Sequence, residues 1–101
     1  MTYPPLPAIM TPRAKTKLLE QRDWYNLRED GLGDRFYDQI LDAVAYLEAN
    51  YNLPPFDKES RDVKRYVNRG EFPWLIYYKI LSDHLVISSF SHPKQKPVRR
   101  S

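Results

Sequence analysis

Residues 69–80 read RGEFPWLIYYKI, and the alternation inside this stretch decides what kind of fold the chain adopts. From Trp74 onward aromatic and branched aliphatic side chains dominate, a composition suited to a pleated, half-buried surface. Taken two at a time, Trp74, Ile76, Tyr78 and Ile80 are uniformly apolar or aromatic, whereas Leu75, Tyr77, Lys79 and Leu81 are mixed. The spacing predicts a strand over 73–81 with the first set packed inward and the second turned toward solvent. Pro73 stands at its entrance, where a missing backbone donor does least harm.

On the C-terminal side, Ser82-Asp83-His84 has turn character and Leu85–Ser91 returns as a partner strand. Leu85 and Ile87 form its inward side, with Val86, Ser88, Phe90 and His92 on the other. On the N-terminal side, 63–68 reads as a further strand, which completes a three-stranded meander. Residues 6–10 add a possible fourth strand, confined to an edge by the prolines around it. In this register Tyr77, Lys79, Ser88 and His92 border one open sheet face, beside Lys64 or Arg65.

Upstream the hydrophobic period changes from two to about 3.6. Thr11-Pro12 starts a helix, with threonine at the N-cap and proline where no amide donor is needed. Ala14, Leu18, Gln21 and Tyr25 form its stripe, with Leu19 and Leu27 beside it. Asp30-Gly31-Leu32-Gly33 stops the helix, glycine being suited to a left-handed C′ position. A second helix from near Asp34 carries Phe36, Ile40, Val44, Leu47 and Tyr51 on one face, while Asp34, Asp38, Asp42 and Glu48 lie largely off it. The short link between the helices implies an antiparallel hairpin. Helices grouped before strands give an α+β fold: a helical hairpin on one face of a small, mainly antiparallel sheet of three to four strands. The expected organisation is one domain over 1–101, with an N-terminal segment 1–11, a hairpin 12–52, strands over 61–92 and a basic tail 93–101.

Charge is divided along the chain. Residues 1–60 carry 7 lysines and arginines against 10 acids, and residues 61–101 carry 9 against 3. A basic second half points to an anionic partner. There are no cysteines, which excludes disulfides, thiolate catalysis and cysteine-based zinc sites. No apolar run approaches the roughly 20 residues of a membrane span, and the start MTYPPLPAIMTP lacks a basic n-region. The expectation is a cytoplasmic protein with no membrane association. Two histidines eight apart and carboxylates on helix surfaces support no metal site, and no cofactor motif is present.

The order of these features resembles the RelE/ParE superfamily, the toxins of bacterial type II toxin–antitoxin modules. The residues that carry the resemblance are Phe72, Pro73, Trp74, Ile76, Tyr78 and Ile80, followed by Ile87, His92 and Pro97. Trp24-Tyr25, Gly31-Leu32-Gly33 and Phe36 match upstream. Where the family pattern H-x-x-R-x-P has arginine, this chain has Gln95. The resemblance implies a cognate antitoxin, whose acidic amphipathic segment lies in the groove between helices and sheet or adds a strand to an edge. It also implies one of three activities. The first is ribosome-dependent endonuclease action on translated messenger RNA, with His92, Lys64, Arg65 and Tyr77 as the catalytic candidates. In that reading Lys79, Lys94, Lys96, Arg99 and Arg100 contact nucleic acid or another anionic partner. The second is non-catalytic inhibition of DNA gyrase, which the loss of the arginine at Gln95 favours. The third is an attenuated member acting mainly through antitoxin binding. The basic half and the His92 strand incline the sequence toward messenger RNA.

Overall fold

A computed structural model describes residues 4–58 and 60–92; Lys94, Lys96, Arg99 and Arg100 lie outside the described residues. The elements run β1 (Ala8–Met10), α1 (Pro12–Arg28), α2 (Leu32–Asn50), β2 (Phe56–Asp57), β3 (Ser60–Val67), β4 (Leu75–Ile80) and β5 (Leu85–Ser91). The five strands form one sheet in the order β1-β5-β4-β3-β2. The α+β expectation holds, and the edge strand read over 6–10 is β1, which lies parallel to β5; β2 is the addition that enlarges the sheet to five strands. All other pairings are antiparallel.

Thr11 caps α1 as its sequence indicates, its Oγ1 accepting from the Ala14 N–H at 3.1 Å, with Pro12 in the first turn. Ala14 and Leu18 are buried and Tyr25 packs on the core, but Leu27 is 88% exposed and contributes nothing to it. The interhelical turn also differs from expectation. Helix α1 ends on an extended Glu29, and the left-handed glycine, Gly31 at φ +82°, is the N-cap of α2. A glycine that tolerates positive φ serves equally to leave one helix or to enter the next, and here the two ends are only three residues apart. Helix α2 therefore begins two residues before Asp34. Its predicted face, Phe36, Ile40, Val44, Leu47 and Tyr51, is buried throughout.

These residues meet Trp74, Ile76 and Tyr78 of the opening motif, all at most 1% exposed, together with Leu85 and Ile87. Tyr25, Phe36, Phe72 and Trp74 form a chain of ring contacts 5.0–5.4 Å apart, in tilted and edge-on geometries that favour aromatic rings beyond simple burial. Tyr78 is buried with its hydroxyl donating to the Tyr51 carbonyl at 2.7 Å, and burial drives its pKa up. Arg35 on α2 grips Glu71 through two nitrogens at 2.6 and 3.0 Å, and Gln39 adds a bond at 3.1 Å. This clasp ties the β3–β4 turn to the hairpin.

The Arg35 hydrogen bond holds the Glu71 carboxyl below its ordinary value of 4.5, with Gln39 assisting. A depressed native carboxylate stabilises above its unfolded pKa, and that contribution disappears as pH falls through the native one. The native protein is therefore expected to lose more stability than Glu71→Gln as pH falls from above the ordinary carboxylate value to below it. Parallel acid-unfolding curves for the two proteins would refute the clasp.

Candidate functional site

One residue in β5 reorganises the face expected to hold the site. Tyr77 pairs with Ser89 while Tyr78 pairs with Ile87, so Ser88 is extra. Its hydroxyl donates to the Tyr77 carbonyl at 3.3 Å. A bulge of this kind exchanges the two faces for everything beyond it. Phe90 accordingly turns inward and is 3% exposed, correcting its expected outward placement. His92 follows it to the helix side, where its ring stands perpendicular to that of Trp74 at 5.8 Å.

His92 thus does not border the open face with Tyr77 and Lys79. It lines a groove of about 670 Å³ under α1, with Lys17, Glu20, Trp24, Tyr25 and Trp74. Trp74 Nε1 is buried there with no hydrogen-bond acceptor among the described residues. Trp24 is 46% exposed and is covered by the Arg28 guanidinium 4.1 Å from the ring centroid.

Lys64 is also on the helix side, since it pairs with the buried Tyr78. It is 7% exposed, the only buried charged residue among those described. Its Nζ donates to the carbonyls of Pro54 at 2.7 Å and Asn52 at 3.1 Å and lies 4.6 Å from the centroid of the Phe56 ring. Desolvation pushes its pKa down. The ammonium fastens the loop after α2 to the sheet, and nothing in the alternation of 63–68 distinguished that role from a solvent-facing one.

Arg65 and Tyr77 do reach the open face together. They are directly paired, and Tyr77 is in turn paired with Ser89, so the three form one row across β3, β4 and β5. The next rows hold Val67, Leu75 and Ser91 on one side, and Lys79, Val86 and Ile9 on the other. Lys79 Nζ lies 3.6 Å from Asp62. Of the four catalytic candidates, the structure joins two and sets the other two on the opposite face. The row Arg65–Tyr77–Ser89 includes one residue that sequence reasoning missed, because Ser89 faces outward only by virtue of the bulge at Ser88.

Among the described residues no group of three histidine, cysteine or acidic side chains is placed to hold a metal ion, and no helix is long and apolar enough to cross a membrane. No family model matches the chain, and no curated protein sequence matches it. Among solved structures, it is similar to a chain of the chromosomal ParDE toxin–antitoxin system from P. aeruginosa, with a TM-score of 0.75 at 13% identity. The match covers 89% of this chain and 98% of that one. The chain thus has the α+β fold of the ParDE/RelE type, a helical hairpin packed on a mixed, mainly antiparallel sheet.

Proposed function

We propose that this protein is the toxin of a type II toxin–antitoxin pair, neutralised by a cognate antitoxin, and that it acts by binding its target without cleaving RNA. The observation that carries the second half is the separation of the nuclease candidates. In-line attack on a phosphodiester needs its base, acid and cations around one phosphate. Here Lys64 is committed to two backbone carbonyls, and His92 stands beside Trp74 on the helix side. Arg65 and Tyr77 project from the other side of the sheet. Gln95 in place of the family arginine removes a further cation. The fold supports membership of a toxin–antitoxin pair by analogy, and the resemblance offers DNA gyrase as the target of a member that does not cleave RNA.

The test is induction of the chain alone in a bacterial host, with mapping of transcript 5′ ends and a reporter of the SOS response. Growth arrest with intact transcripts and an induced SOS reporter is the expected result. His92→Ala is expected to arrest growth as the native chain does. Codon-position cuts that disappear in His92→Ala would instead establish the messenger RNA endonuclease. Absence of any growth effect would leave the attenuated, antitoxin-binding member.

A further inference from the structure

We infer that the groove under α1 binds a small nucleotide, a nucleoside monophosphate whose base carries a ring carbonyl. This site is independent of the toxin–antitoxin reading. Its volume of about 670 Å³ lies in the range of sites that enclose a small organic molecule. Both tryptophans of the chain line it, and each offers a different half of a base-recognition site. Trp74 is 1% exposed, yet its Nε1–H meets no acceptor among the described residues. Buried donors are almost always paired, so an unmet one is the point at which an incoming acceptor gains most. Trp24 is the reverse case, a large ring left 46% exposed. The Arg28 guanidinium lies over the ring at 4.1 Å from its centroid, and a planar ligand group completes the stack on the other face.

Three side chains of α1 set the order of the ligand. Lys17, Glu20 and Trp24 all line the groove, at steps of three and four residues that place them along one helix face. Successive groups are about 4.5 and about 6 Å apart along the axis: an ammonium, a carboxylate, then an aromatic ring. Neither Lys17 nor Glu20 takes part in an ion pair among the described residues. A nucleoside monophosphate presents phosphate, ribose and base in the same order. Its phosphate suits the Lys17 ammonium. The ribose hydroxyls donate to the Glu20 carboxylate, a pairing that nucleotide-binding folds use elsewhere. The base then lies on Trp24 with its carbonyl toward Trp74 Nε1. Inorganic phosphate or an aliphatic acid satisfies Lys17 but neither tryptophan, so the ring is what the groove selects.

The experiment follows the indole N–H signals of the full-length chain by NMR as GMP or UMP is added; the two tryptophans give one signal each. Both are expected to shift saturably, with that of Trp74 moving to lower field as its N–H gains an acceptor. Trp24→Ala is expected to weaken GMP binding by about 5- to 150-fold, the worth of one base stack expressed as affinity. Lys17→Met is expected to remove the preference for GMP over guanosine, and Glu20→Gln the preference for GMP over deoxy-GMP. Leu27→Ala, at a position 88% exposed, is expected to bind GMP within about twofold of the native chain. Absence of a saturable shift with either nucleotide would overturn the inference. Native affinity for GMP in Trp24→Ala, or a Trp74 signal that stays in place at saturation, would do the same. Shifts reproduced by inorganic phosphate alone would reduce the groove to an anion site. A phosphorylated oligonucleotide that binds more tightly than GMP would overturn the inference by assigning the groove to the end of a nucleic acid.

Discussion

Gly33→Ala is expected to be among the most damaging substitutions in the chain, although it adds one methyl group. A Cβ at this position would lie 1.9 Å from the Arg22 carbonyl oxygen and 2.8 Å from both its carbon and Asn26 Cγ. The obstacle is chiefly the backbone of α1, so the clash is relieved only by moving one helix from the other. The same movement breaks the bond from the Gly33 N–H to Asn26 Oδ1, 2.6 Å long. Overpacking typically costs about 1–3 kcal/mol, and a backbone obstacle puts this site at the upper end of about 3 kcal/mol, which lowers the melting temperature of a chain this size by roughly 15 °C. Calorimetry showing a shift below about 3 °C would mean that the helices do not approach as described. Gly31→Ala is the internal comparison. Nothing lies within 4 Å of its added carbon, and only the positive φ opposes it. Its cost is expected to be about 1–2 kcal/mol.

Lys64→Met is expected to behave as a core mutation despite removing a charge. Methionine fills a similar volume, but leaves the Asn52 and Pro54 carbonyls without the donor they now share. Losing charge-assisted bonds from a buried group costs about 2–3 kcal/mol, a fall of roughly 10–20 °C in melting temperature. Neutralisation by the proposed partner is expected to persist at temperatures where the variant is folded. The opposite pattern, an unchanged melting temperature with loss of RNA cutting by the induced chain, would return Lys64 to a catalytic role and undo the proposed mechanism.

The contrast between Lys64 and the opening motif shows which parts of this fold are legible in the sequence. Alternation from Trp74 to Ile80 is uninterrupted, and the buried helix face from Phe36 to Tyr51 repeats with a single period; both were readable because many residues state the same pattern. The face change at Ser88 rests on one inserted residue. Serine carries no hydrophobic signal, so Phe90 and His92 fell on the wrong side by parity alone. Alternation alone leaves open whether Lys64 or Arg65 borders the open face, and ammonium groups normally keep to water, while the actual partners of Lys64 are carbonyls 10 and 12 residues away. Strand β2 is too short for any periodicity to register. The pairing of Arg65 with Tyr77 could not be derived without the register between β3 and β4, which single strands do not encode.

The parallel edge strand has a consequence for how the chain is made. Strand β1 ends at Met10 and, among the described residues, pairs only with β5, which starts at Leu85. At synthesis rates of about 5–20 residues per second, the intervening stretch takes roughly 4–15 s to follow. During that interval α1 and α2 are complete, but the strands that cover Phe36, Ile40 and Leu47 are still emerging. The nascent hairpin is consequently a sticky intermediate whose cover arrives last, with residues 85–91 closing both the interior and the amino-terminal edge. Transcripts truncated before that point are expected to yield polypeptides that are captured by chaperones or degraded, so the seven residues of β5 act as a late checkpoint on completion of the fold.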